Sequence, residues 1–101
     1  MVIRLHNPMR WSELKKMLYD AGKVAKWTVS ENRDSGKSKI VFSKRGLLFV
    51  KSIETQNFAD DQYVSEFSLL ESLTSHGRPN RKDFEELEYA ISWYKTKRYK
   101  L

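Results

Sequence analysis

Two groups of side chains have types and spacing suited to chemistry on a polyanion. In the last nine residues Lys95, Lys97, Arg98 and Lys100 are interleaved with Trp93, Tyr94 and Tyr99. Cationic groups neutralise phosphates, and aromatic rings stack on unpaired bases. Lys37, Lys39, Lys44 and Arg45 form the second group, on a strand and its two flanking turns, where a basic ribbon can lie along a nucleic-acid backbone. Simpler roles compete with both. Cations at a helix C-terminus are favoured by the dipole alone, and lysines on exposed strands oppose edge-to-edge aggregation.

A third group is acidic. Asp83, Glu85, Glu86 and Glu88 open a helix-like segment, and Asp60 and Asp61 precede it. Asp60, Asp61, Glu85 and Glu86 are the candidates for a face that contacts a basic protein or imitates phosphates. The competing account is solvated helix surface with favourable charge–dipole placement.

Signals for catalysis are thin. Gly36-Lys37-Ser38 resembles the end of a phosphate-binding loop, but Glu31 stands where its first glycine is required. His6 and His76 are isolated, and neither lies in a metal-ligand spacing. No metal or cofactor site is expected. A small basic ribonuclease would draw on His6, His76, Arg45 and Arg98 as acid, base and charge stabiliser. The segment from Tyr63 to Ile91 has the outline of a helix-turn-helix. Its second helix, however, begins with carboxylates where a recognition helix meets DNA, so base readout by this pair is not expected.

The elements that position these residues follow from periodicity. Val2 to Leu5 reads as a possible edge strand. Asn7-Pro8, or Ser12, reads as a helix start. Trp11, Leu14, Leu18 and Ala21 make the helix's apolar stripe, and Gly22 is expected at its C′ position. Ala25, Trp27 and Val29 then alternate as a strand, Glu31 to Lys37 reads as a polar loop, and Ser38 to Phe42 as a second strand. Ser43-Lys44-Arg45-Gly46 is expected to turn into a third strand over Leu47 to Ile53. Tyr63, Val64, Phe67, Leu70 and Leu73/Thr74 fit helical spacing, with a stop at Ser75 to Pro79. A last helix, capped by Asn80, carries Phe84, Leu87, Ile91 and Tyr94 inward.

The predicted fold is therefore one α+β domain over residues 1–101. A three-stranded antiparallel meander is preceded by one helix and followed by two, with a possible N-terminal edge strand and a basic aromatic tail at 94–101.

The chain's 101 residues, 40% hydrophobic and 32% charged, suit a single globular domain and exclude a disordered one. Charge is polarised. Residues 1–50 hold 11 basic and 4 acidic side chains, residues 51–90 hold 4 and 9, and residues 91–101 hold 4 basic and none acidic. Cysteine is absent, so disulfides, thiolate zinc sites and cysteine nucleophiles are excluded. No apolar run approaches the ~18 residues of a membrane span. A cytoplasmic protein is expected, with no membrane partner. The expected function is non-catalytic binding of DNA or RNA backbone through the hairpin and tail. The alternatives are an inhibitor or adaptor of the phage or mobile-element kind, bound to a nucleic-acid-processing complex, and the ribonuclease.

Overall fold

The computed structural model describes residues 1–45, 50–71 and 81–98. Seven strands and two helices follow in the order β1 (Val2–Arg10), α1 (Trp11–Val24), β2 (Thr28–Asp34), β3 (Lys37–Arg45), β4 (Val50–Glu54), β5 (Phe58–Ala59), β6 (Tyr63–Ser68), β7 (Leu70–Glu71) and α2 (Arg81–Trp93), with a wider π-type turn over Tyr94–Arg98. The domain is α+β with antiparallel sheets, as the sequence leads one to expect. It is richer in strands than a three-stranded meander: β1 pairs with β6, and β2-β3-β4-β7 form a second sheet that β5 joins beside β3.

Four local expectations are corrected. The polar stretch Glu31–Lys37 is not a loop. The strands continue through it to the pair Asp34↔Lys37, leaving only Ser35 and Gly36 as the turn. Both turn residues have positive φ (52° and 81°), as a two-residue type I′ hairpin requires. The alternation was hidden because the inward positions there are charged. Glu31 and Arg33 face the helix layer, where they meet Lys15 and Asp60.

Asn7-Pro8 does not start α1. It sits in a bulge of β1, where Arg4 pairs with Glu66 and Met9 with Val64, so Leu5 to Pro8 stand opposite Ser65 alone. A proline cannot donate to a ladder and is tolerated at such a bulge. The first N–H groups of α1 are capped by backbone instead: Trp11 N donates to the Gln62 carbonyl (2.9 Å) and Ser12 N to that of Asp60 (3.1 Å).

Gly22 is interior to α1, which ends two residues later at Val24. Trp27 N donates to the Gly22 carbonyl (2.8 Å) and Lys26 N to that of Lys23 (3.0 Å), a Schellman closure in which Lys26 takes the left-handed position at φ 65°. Gly22 is needed for proximity. A Cβ there would run into the Val29 side chain and stand 3.0 Å from the Phe42 ring.

Tyr63–Ser68 is a strand, not a helix. Its buried residues are Val64 and Phe67, three apart, because alternation breaks opposite the β1 bulge; Val64 pairs beside Met9 and Phe67 beside Ile3. That interruption imitates helical spacing. One residue on, Leu69 is buried and its N–H donates to the Met1 carbonyl (2.8 Å), and β7 then pairs with β4. The chain thus passes from one sheet to the other at a single corner.

The core lies between the larger sheet and the helices. Trp11, Leu14, Met17, Leu18 and Ala21 of α1 are fully buried with Ile40, Phe42 and Ile53 of the sheet and Leu87 and Ile91 of α2. Among the described residues the polar side chains of Ser38 and Thr55 are buried inside it, and both are hydrogen-bonded. The Trp11 indole N–H donates to Ser38 Oγ (2.9 Å). Thr55 Oγ1 accepts the Ile40 N–H (3.0 Å) and donates to the Gln56 carbonyl (3.1 Å), bridging the gap between β4 and β5. The turn at Gly46, the start of the third strand at Leu47, the helix stop at Ser75 to Pro79, His76 and the Asn80 cap lie outside the described residues, as do Tyr99, Lys100 and the Arg98 side chain.

Candidate nucleic-acid interface

The basic residues of the hairpin separate by strand parity. Residues directly opposite in an antiparallel pair share a face. Val29↔Phe42, Glu31↔Ile40 and Arg33↔Ser38 therefore face the helices. Thr28↔Ser43, Ser30↔Val41, Asn32↔Lys39 and Asp34↔Lys37 face away, and Arg45 follows the same parity as Ser43. Lys37, Lys39 and Arg45 thus share the outer face with hydroxyl and amide side chains of Thr28, Ser30, Asn32 and Ser43. From Lys37 to Arg45, eight residues of strand span roughly 27 Å.

Lys44, expected with this group, points the other way. Its Nζ stands 3.4 Å from Asp83 of α2 and 3.4 Å from the Ala25 carbonyl, 5.3 Å over the Trp27 ring. Lys51, beside it on β4, is 3.8 Å from the same carboxylate. Lys44 therefore fastens α2 to the sheet. On the outer face Lys39 is paired with Glu54 at 3.1 Å. Lys37 and Arg45 are exposed and form no ion pair among the described residues.

The tail belongs to the helix layer. Lys95 Nζ donates to the Arg4 carbonyl of β1 (2.9 Å), Lys97 is exposed, and Tyr94 is half-buried with its ring against Trp93 at 5.0 Å. Lys95 and Lys97 therefore lie on the opposite side of the larger sheet from Lys37, Lys39 and Arg45. The described members of the two basic groups do not share one surface.

The acidic residues are likewise divided. Asp60 belongs to an ion-pair network that sequence reading missed. Lys15 Nζ lies 2.6 Å from Glu31 and 2.8 Å from Asp60, and Arg33 lies 3.3 Å from Glu31 and 3.0 Å from Asp60. Burial opposes the charge of Lys15, but hydrogen bonds to Asp60 and Glu31 outweigh it and raise its pKa. Burial also opposes the charge of Glu31; hydrogen bonds from Lys15 and Ser38 outweigh it and hold this carboxyl below its ordinary range. Asp60 is lowered too, by hydrogen bonds from Lys15 and Arg33. The network ties β2 and the 60–62 loop to the first turns of α1. Only the spacing of opposite charges across three elements marks it, and that spacing has no signature along the chain. Asp61 is exposed beside this network, whereas Glu85 and Glu86 sit on α2 near the other end of α1. Ser12 to Val24 alone covers roughly 18 Å of helix. The four acidic candidates do not form one face.

His6 is exposed in the β1 bulge. Among the described residues no three His, Asp or Glu side chains converge as a metal site would require. No described helix is long and apolar enough to cross a membrane. Compared with protein-family models, curated proteins and solved structures, the chain matches none.

Proposed function

We propose that the protein binds nucleic-acid backbone through the outer face of the larger sheet, without catalysis. The observation that carries this reading is the uncovered row Lys37, Lys39 and Arg45 on one face of β3, set among hydroxyl and amide groups able to donate to phosphate oxygens. A row of roughly 27 Å is a little under one turn of duplex. Lys95 and Lys97 offer a separate contact across the molecule.

The test is fluorescence anisotropy with labelled single-stranded DNA, duplex DNA and RNA over a salt series. Three cations predict a log–log salt slope near −2.7 for duplex and near −2 for single strands, by the usual ~0.9 and ~0.7 per neutralised phosphate. The triple variant Lys37→Ala, Lys39→Ala, Arg45→Ala is expected to flatten the slope and abolish binding at physiological salt. Lys95→Ala with Lys97→Ala is expected to cost less. Undiminished binding by the triple variant overturns the assignment to this face.

A further inference from the structure

A concavity of about 750 Å³ lies on the side away from the outer sheet face, between the C-terminal end of α1 and the exposed flank of α2. Val24, Ala25, Tyr89, Ala90 and Trp93 line it. Val24, Tyr89 and Trp93 are 63%, 73% and 45% exposed, and they meet here. Exposed aromatic and aliphatic groups gathered in one groove are the anatomy of a protein contact, where Trp and Tyr carry a large share of binding energy. From Lys82 to Trp93 the groove follows about three turns of α2, roughly 16 Å, the length of a short helix laid alongside.

Its charge selects the occupant. Glu85 and Glu86 line the same groove with Lys82, so carboxylates outnumber cations in its lining two to one. Asp83 adds nothing, being held by Lys44 and Lys51. The Arg81 partner of Glu85 is 92% exposed, so that pair is weak and exchangeable. Glu86 forms no ion pair among the described residues. In a chain of net charge +6 this is a place where an incoming cation meets unspent carboxylates beside aromatic faces, both of which attract it.

We infer that this groove is a docking site for a cationic amphipathic helix of a partner protein. The partner's apolar side chains at i, i+3 or i+4 and i+7 cover Val24, Ala90 and Trp93, and its Lys or Arg groups reach Glu85, Glu86 and the Tyr89 ring. This site is independent of the nucleic-acid face, so the two can be occupied together.

Trp93 supplies the readout, because Trp11 and Trp27 are buried at 0% and 3% exposure. The probe is a synthetic 14-residue Lys/Leu peptide with helical spacing and no tryptophan. Its controls are the same peptide with Glu for Lys and a scrambled Lys/Leu peptide. Titration of the full chain is expected to give a saturable blue shift with the Lys/Leu helix, at least tenfold tighter than with either control. Tyr89→Ala, at an exposed position that does not support the core, is expected to weaken it about tenfold. Glu85→Gln with Glu86→Gln is expected to remove the preference for Lys over Glu. Equal binding of the acidic peptide, or binding indifferent to these variants, overturns the proposal. So does a peptide-free blue shift that grows with protein concentration alongside a dimer mass in sedimentation, since a second copy then fills the groove. Loss of nucleic-acid binding in the Lys37/Lys39/Arg45 variant leaves this titration unchanged.

Discussion

Gly22 and Lys26 exchange the roles that their residue types suggest, and the exchange can be measured. In an exposed helix interior, Gly→Ala stabilises by about 1 kcal/mol through backbone entropy. At Gly22 the added methyl runs into Val29 on β2 and stands 3.0 Å from the fully buried Phe42 ring. Val29 is short and β-branched, with little freedom to swing aside. Overpacking of this kind costs about 1–3 kcal/mol. The cost exceeds the propensity gain over most of that range, so Gly22→Ala is expected to destabilise by roughly 1 kcal/mol, lowering Tm by about 4–8 °C in a domain of this size. Lys26→Gly is expected to do the reverse. A lysine at φ 65° carries left-handed strain of about 1–2 kcal/mol, and glycine relieves it at some cost in unfolded-state entropy. The net gain is about 0.5–1 kcal/mol. Urea denaturation with an unchanged m value, checked by thermal melts, reads both. A Gly22→Ala variant more stable than the parent would refute the close approach of α1 to β2 and β3. A neutral or destabilising Lys26→Gly would refute the Schellman closure.

Ser38→Ala strands the buried Trp11 indole N–H and is expected to cost about 1–3 kcal/mol in denaturant titration, far more than a surface Ser→Ala. Glu31, with its pKa depressed in the fold, contributes stability that is fully present above its unfolded pKa, near 4.3, and is lost as pH falls through the lower folded value. Glu31→Gln is therefore expected to be less stable than the parent at neutral pH and to converge with it as pH falls; parallel pH profiles would show that the ion-pair network contributes nothing. Glu54→Gln releases Lys39 on the outer face. It is expected to tighten duplex binding a few-fold with the salt slope unchanged, because Lys39 is already one of the three cations that set it, read by anisotropy.

The helices were legible because their chemistry is local. The stripe Trp11, Leu14, Leu18 and Ala21 and the stripe Leu87 and Ile91 are both buried where a 3.6-residue period places them. The strands of the hairpin were legible as far as their inward residues were apolar, at Val29, Ile40 and Phe42. Beyond that point the inward positions are Glu31 and Arg33, whose charges are met by Lys15 from α1 and Asp60 from a distant loop. No local pattern encodes that dependence. Tyr63–Ser68 misled for a related reason: its period was set by a bulge in β1, some sixty residues earlier. For the candidate interface, the clustering of Lys37, Lys39 and Arg45 was visible in the chain. The diversion of Lys44 to Asp83 was not, because it needs strand parity and the position of α2 together.

The corner at Leu69 has a kinetic consequence. The β2–β3 hairpin closes over two turn residues, whereas Ile3↔Phe67 closes a loop spanning most of the chain. The length-dependent part of that closure entropy is about 4 kcal/mol, and little of it is recovered until both sheets exist to receive β6 and β7. Pairing of β1 is therefore a late event on the folding path, after the hairpin and α1 have formed a surface. Because β6 and β7 are one run of chain held in two sheets, the corner at Leu69 couples the pairing of β1 with β6 to that of β7 with β4. A single residue at which the chain changes sheets thereby makes the longest-range pairing of the fold depend on both sheets.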